Sequence, residues 1–161
     1  MGMQEPECRH IFRQVVEAIH HLHIKARIVH RDIKDENVVL DGENVVKLID
    51  FGSAAYIRNG PFDVFVGTID YAAPEVLQGR PYAGPEQDVW ALGILLYTIV
   101  FKENPFYNID EILDHPLRLP PLHTPYSDDC IDLIQAMLNR DVEERLNIEE
   151  VKAHPWLVAT D

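Results

Sequence analysis

From Ile11 onward, apolar residues recur at helical spacing. Ile11, Val15, Ile19 and Leu22 form one stripe, widened by Phe12 and Val16, which predicts an amphipathic helix with a single buried face. Pro6 suits its first turn. The period breaks at Ile28-Val29, a short β-like run. Val38-Val39-Leu40 and Val45-Val46-Lys47-Leu48-Ile49 follow as β-branched runs, separated by Asp41-Gly42-Glu43-Asn44. A Gly-containing polar turn between such runs predicts a β-hairpin. Residues 53–66 carry no period, and Asn59-Gly60-Pro61 marks a turn. Over residues 89–100 nearly every helical face is apolar, Trp90 and Tyr97 included, so this segment is predicted to be a buried central helix. Asn104-Pro105-Phe106 ends it. Residues 107–126 are punctuated by proline, with room for one short helix at 109–113. Ser127 before Asp128 and Asp129 signals another helix start, with Ile131, Ile134 and Leu138 expected to point inward. Asn147 and Glu150 have capping-box spacing, opening a last helix that carries Val151 and ends near His154-Pro155-Trp156. The sum is a mainly α-helical fold with one small hairpin, expected to form a single domain over residues 1–161.

Composition narrows the partners. The chain has 161 residues, 47% of them hydrophobic, enough for a substantial core. Its 27 acidic residues against 14 basic give a net charge of -13. That balance argues against nucleic acid or an anionic membrane as partner and suits an Arg- or Lys-rich peptide. Cys8 and Cys130 are too few for a disulfide framework or a four-ligand metal site. His20, His21 and His23 lack a carboxylate or cysteine at convincing spacing and are not read as metal ligands. With no apolar leader and no run long enough for a span, the expectation is a soluble, cytoplasmic protein.

The chemistry concentrates in His30-Arg31-Asp32-Ile33-Lys34-Asp35-Glu36-Asn37 and in Asp50-Phe51-Gly52. A carboxylate, a lysine and an amide fall within six residues, and a second carboxylate follows 18 residues after the first. Phosphoryl transfer needs such a set: a group to orient the attacking hydroxyl, a cation near the moving phosphoryl, and oxygen ligands for magnesium. The hairpin places Asn37 just before one strand and Asp50 just after the other, which brings the two candidate ligands together. Further along stand Gly67-Thr68-Ile69-Asp70-Tyr71-Ala72-Ala73-Pro74-Glu75, then Asp88-Val89-Trp90-Ala91-Leu92-Gly93, then Arg145. In this order the motifs resemble the catalytic loop, metal-binding loop, activation-segment end and central helix of the protein kinases.

The resemblance implies the C-terminal lobe of the kinase fold, with ATP and Mg2+ as cofactors. It casts Asp32 as the group that orients the substrate hydroxyl and accepts its proton late, and Lys34 as the cation on the transferring phosphoryl. Asn37 and Asp50 become magnesium ligands, Val39 the residue beneath the adenine, and Thr68 a hydrogen-bond partner of Asp32 and Lys34 that, with Lys34, marks a serine/threonine kinase. Glu36 is cast as the contact for a basic residue of the substrate. Structural roles fall to His30 stacking with Phe51, to Gly52 in the metal-binding loop, to Asp88 as anchor of the catalytic-loop backbone, and to Glu75 with Arg145 as a buried ion pair. Arg31 ordinarily meets a phosphorylated activation-loop residue. Between Gly52 and Gly67, however, the hydroxyls are only Ser53 and Tyr56. Loop order is therefore expected not to need phosphorylation, with Phe62, Val64 and Phe65 packing the loop down and Asp63 facing a basic residue.

In finer wording, Asp32-Ile33-Lys34-Asp35-Glu36-Asn37, Leu48-Ile49-Asp50-Phe51-Gly52-Ser53-Ala54-Ala55-Tyr56 and Tyr82-Ala83-Gly84-Pro85-Glu86 resemble the PAS-domain-regulated serine/threonine kinases, with fungal members looking most similar. Only 29 residues precede His30, and they read as helix, with no Gly-rich loop or β3-type lysine. The expectation is a lobe whose N-terminal lobe and upstream PAS region are absent, inactive or very weak alone. Its uncovered face near Val39 and Phe51 is expected to self-associate. A non-catalytic lobe that binds peptides or a partner is the alternative.

Overall fold

The computed structural model describes residues 3–119 and 126–160; residues 120–125 of the proline-punctuated stretch lie outside them. Helix α1, Glu5–His20, has Pro6 in its first turn and buries Cys8, Ile11, Phe12, Val15, Val16 and Ile19. Beyond His20 the helix widens into a π turn, His21–Ala26, and stops at Arg27 in the left-handed conformation, φ 58°. His23 lies buried there while Leu22 is half-buried, so the stripe's last inward position is polar.

Strand β1, Ile28–Val29, leads into the catalytic loop. Strands β2, Val38–Leu40, and β3, Val46–Leu48, form the hairpin, antiparallel with Val39 opposite Lys47. The Asp41 carboxylate pins its turn by accepting from the amides of Glu43 at 2.8 Å and Val45 at 3.0 Å. A second antiparallel ladder joins β1 to β4, Ala55–Tyr56. It corrects the reading of residues 53–66 as irregular throughout. Two-residue strands carry no periodicity, and this one is specified by pairing with distant Ile28 and Val29.

After α2, Pro74–Leu77, comes α3, Pro85–Phe101, buried continuously from Gln87 to Tyr97. This is the central post, and an apolar helix surface on all sides requires it to be enclosed. Asn108 caps α4, Ile109–Asp114, and Ser127 caps α5, Asp128–Met137. The inward set of α5 is Cys130, Leu133, Ile134 and Met137, with Ile131 only half-buried. Ile134 and Leu138 are thus buried as expected and only Ile131 sits at the edge of the interface, where α5 presses onto α3 at Gly93; an added Cβ there would lie 2.7 Å from Leu138 Cδ2. Helix α6, Ile148–Lys152, opens with the capping box of Asn147 and Glu150. A further short helix, α7, Pro155–Val158, follows His154. Helix α1 packs on α6, α7, β3 and α3, so the described residues share one apolar cluster. The catalytic loop hangs from the N-terminal turn of α3.

Candidate active site

The catalytic loop is suspended from one carboxylate. Asp88, 1% exposed, accepts the His30 amide on Oδ2 at 2.9 Å and the Arg31 amide on Oδ1 at 3.0 Å. Arg31 itself is left-handed, φ 70°, a conformation that costs a non-glycine residue of order 1–3 kcal/mol and is held by its surroundings. His30 is fully buried. Its Nδ1 accepts the Asp32 amide at 3.1 Å, so its proton sits on Nε2, which donates to Ile49 O at 3.1 Å. One ring therefore ties the catalytic loop to the end of the hairpin, and it meets Phe51 edge-on, centroids 5.0 Å apart.

Asp32, Lys34 and Thr68 converge. The Thr68 hydroxyl donates to Asp32 Oδ1 at 2.9 Å and accepts from Lys34 Nζ at 3.0 Å, while Lys34 Nζ stands 4.0 Å from Asp32 Oδ2. Gly67 allows this approach: a Cβ there would collide with Arg31 O. Asn37, buried, donates through Nδ2 to Asp32 O at 2.8 Å and more weakly to Asp32 Oδ2 at 3.5 Å. Its amide oxygen is thereby turned away from the loop backbone. Asp50 is exposed and left-handed, φ 58°. Its Oδ1 accepts the Gly52 amide at 3.2 Å, and a Cβ on Gly52 would lie 3.2 Å from that same oxygen, which is why a glycine suits the position.

Asn37 and Asp50 offer hard oxygen donors, as magnesium requires. Among the described residues no three His, Cys, Asp or Glu side chains gather into a metal cage. The donor set fits an ion that keeps waters and shares substrate phosphates rather than one enclosed by protein. Val39 is 42% exposed and Phe51 46% exposed. Val39 therefore presents an apolar surface and is not strand core. Glu36 is exposed at the loop's edge beside Asp35. Asp35 accepts the Tyr71 hydroxyl at 3.3 Å, and burial together with the Asp35 charge pushes that phenol up to about 12.

Glu75 and Arg145 meet away from this centre. Arg145 donates both terminal nitrogens to the Glu75 carboxylate at 2.8 Å, and its Nε to Asn139 O at 2.9 Å. Both residues are buried, so the pair clamps α2 to the segment before α6.

The loop after Gly52 is docked without a phosphate. Arg31 donates Nε to Ser53 O at 2.6 Å and stacks its guanidinium 4.6 Å from the Phe62 ring centre. Phe62 exchanges backbone hydrogen bonds with Tyr82 at 2.7 and 2.9 Å, and the Tyr82 hydroxyl donates to Val64 O at 3.0 Å. Phe65 packs on the core. The Val64 side chain is 64% exposed, and Asp63 is exposed with no ion pair to a basic residue among the described ones. Both expectations for Val64 and Asp63 are thus corrected: Val64 is held by its backbone carbonyl, which Tyr82 bonds, while its side chain faces solvent.

Sequence reasoning missed His23, whose Nε2 lies 2.8 Å from Asp88 Oδ2. The available signal was a polar residue on an apolar stripe.

Comparison with known proteins places these motifs. The protein kinase domain family matches residues 1–157. Serine/threonine-protein kinase PSK1 of Saccharomyces cerevisiae is 62% identical over 157 residues, 98% of this chain and 11% of the yeast protein. Serine/threonine-protein kinase ppk6 of Schizosaccharomyces pombe is 55% identical over 96% of this chain and 20% of its own length. The PAS domain-containing serine/threonine-protein kinase of Mus musculus is 45% identical, over 96% of this chain and 11% of its own. The chain spans a fifth or less of these relatives. Matched along nearly all of its own length, it belongs to the protein kinase domain family.

Proposed function

We propose that this domain supplies the catalytic and metal-binding loops of an ATP-dependent serine/threonine protein kinase. The observation that carries the reading is the bonded set Asp32–Thr68–Lys34 beside Asn37 and Asp50. In it, Asp32 orients the substrate hydroxyl and accepts its proton, with Thr68 fixing one carboxylate oxygen. Lys34 neutralises charge on the transferring phosphoryl group. Asn37 and Asp50 would hold Mg2+ and Val39 would offer an apolar surface to the adenine of ATP; Mg·ATP, when bound, would supply the phosphoryl group. Glu36 meets a basic side chain of the protein substrate, consistent with the acidity of the chain.

His30, Phe51, Gly52, Asp88, Glu75 and Arg145 hold the site, and Arg31 holds the activation segment through Phe62 in place of a phosphate. The face bearing Val39 and Phe51 is the seat of an N-terminal kinase lobe, and it drives self-association when uncovered. The mouse relative's printed description, with the PAS-kinase wording of the sequence, supports an upstream PAS regulatory region. The absence among the described residues of a helix able to cross a membrane is compatible with a cytoplasmic setting.

Two measurements test the reading. Intact polypeptide should phosphorylate serine in an Arg-rich peptide, and Asp32→Asn should abolish this while the protein stays folded. Calorimetric titration of Mg·ATP into residues 1–161 should show saturable binding that Asp50→Asn removes. A folded intact polypeptide without transfer, yet with peptide binding, would instead establish the non-catalytic binding lobe.

A further inference from the structure

The hairpin that carries the candidate magnesium ligands is a sheet of two strands, β2 and β3, and little of it is buried. Val39, Leu40 and Lys47 are exposed, which leaves half-buried Val38, Val46 and Leu48 as its contacts with the core. A pair this short and open specifies its own place weakly. The outer edge of β3 also presents backbone groups that no third strand meets among the described residues.

One side chain meets them instead. Gln14, half-buried on α1, donates Nε2 to Asn44 O at 2.8 Å and accepts the Val46 amide on Oε1 at 3.0 Å. These are the carbonyl and the amide of residues two apart, the same two groups that a single residue of a parallel neighbour would bond. The Gln14 amide thus stands in for one peptide unit of a third strand. From Val46 the strand runs directly to the site. Ile49 donates its amide to Asn37 O at 3.0 Å and accepts His30 Nε2 on its carbonyl, and Asp50 follows. Val46 and Asp50 are about 13 Å apart along an extended chain, which has no slack, so a lengthwise shift at one is passed to the other.

We propose that Gln14 is a positioning residue for the metal-binding loop: its amide fixes β3 lengthwise on α1, and so sets where Asp50 stands and, through the Ile49 amide, where Asn37 stands. The consequence for Mg2+ rests on the kinase reading, but the consequence for the strand does not.

The test uses the intact polypeptide. Gln14→Met keeps the length and helix preference of the side chain without either hydrogen bond. Gln14→Glu keeps the acceptor for Val46 and loses the donor to Asn44. Gln14→Leu carries the same expectation as Gln14→Met and replaces it if the latter does not fold. Amide hydrogen exchange is read without nucleotide, and the Mg2+ concentration that half-saturates phosphoryl transfer is read beside KM for the Arg-rich peptide. Gln14→Met should speed exchange at Val46 and Ile49 about two- to tenfold, the scale of one lost hydrogen bond. The His30 and Arg31 amides should keep wild-type protection, because Asp88 holds them. Half-saturating Mg2+ should rise by a similar factor at unchanged peptide KM. Gln14→Glu should fall between Gln14→Met and wild type in both readouts. Equal acceleration at all four amides would mark a general loss of stability and overturn the proposal. Unchanged exchange at Ile49, or an unchanged Mg2+ requirement once Val46 has opened, would overturn it too. If the wild-type protein transfers no phosphate, the kinase reading fails, while exchange at Ile49 against Arg31 still decides whether Gln14 positions the strand.

Discussion

Thr68 shows how one side chain can serve two charged neighbours. Its hydroxyl has one proton, given to Asp32, and lone pairs, one of which takes Lys34, so a neutral group bridges two charges whose own ion pair is long, at 4.0 Å. Glu75 and Arg145 solve the opposite problem, since their charges are out of water and must meet. Arg145 satisfies Glu75 with a planar two-pronged contact and spends its remaining donors on backbone carbonyls, including Glu86 O at 3.1 Å. Removing one member strands the other in the core. Arg145→Met should therefore lower unfolding free energy by about 3–5 kcal/mol in urea denaturation, while Glu75→Leu combined with Arg145→Met recovers most of that loss. Equal losses in the single and double variants would show that packing around the pair, and not the isolated charge, sets the cost.

At the scale of elements, the activation segment is held by aromatic packing. Phe62 meets the Arg31 guanidinium and the Tyr82 ring, the latter at a centroid distance of 5.6 Å, and it also pairs with Tyr82 through the backbone. Phe62→Ala keeps the backbone pairing but removes both ring contacts. Each is worth about 0.5–1.5 kcal/mol, so local opening should rise at least two- to tenfold on that scale, read as faster tryptic cleavage after the exposed Arg58. Unphosphorylated wild-type protein should resist the same digestion. Rapid cleavage of the wild type, slowed by a phosphate on Ser53 or Tyr56, would remove the idea of a phosphate-independent loop. How much of this was legible depended on range. The α1 stripe, the hairpin and α3 follow from local periodicity, and the motif residues that line the site are written consecutively around the hairpin. The β1–β4 ladder, the close seat of α5 on α3 and the docking of the loop around Val64 depend on distant partners: Ile28 for Tyr56, Leu138 for Gly93, Tyr82 for Phe62 and the Val64 carbonyl. His23 was hidden for the same reason, because its importance comes from Asp88, 65 residues away.

Across the whole molecule, both ends of the described chain meet at Glu5. Its carboxylate accepts the Ser127 hydroxyl at 2.6 Å and amide at 3.1 Å, and the Trp156 indole at 2.8 Å. It thereby joins the start of α1 to the cap of α5 and to α7. Burial works against its ionisation, but the bonds from Ser127 and Trp156, with Arg9 nearby, hold its carboxyl below the ordinary 4.5. Because folding lowers this value, the folded state binds the proton less readily than the unfolded chain. The stabilisation is complete above about pH 4.5 and is lost as pH falls through the lower folded value. Asp41 and Glu111 are also lowered, mainly by backbone hydrogen bonds, from Val45 and Glu43 and from Tyr107 respectively, but these bonds link near neighbours in the chain and do not join distant elements. Urea midpoints measured from pH 6 down to about pH 3 should fall for the wild type. In Glu5→Gln the decline should be shallower, starting from a lower plateau at pH 6. Glu111→Gln should retain the wild-type decline. If Glu5→Gln and wild type lose stability in parallel, the acid sensitivity lies elsewhere, and the meeting of α1, α5 and α7 is held by packing of Trp156 and Phe12 and not by this carboxylate.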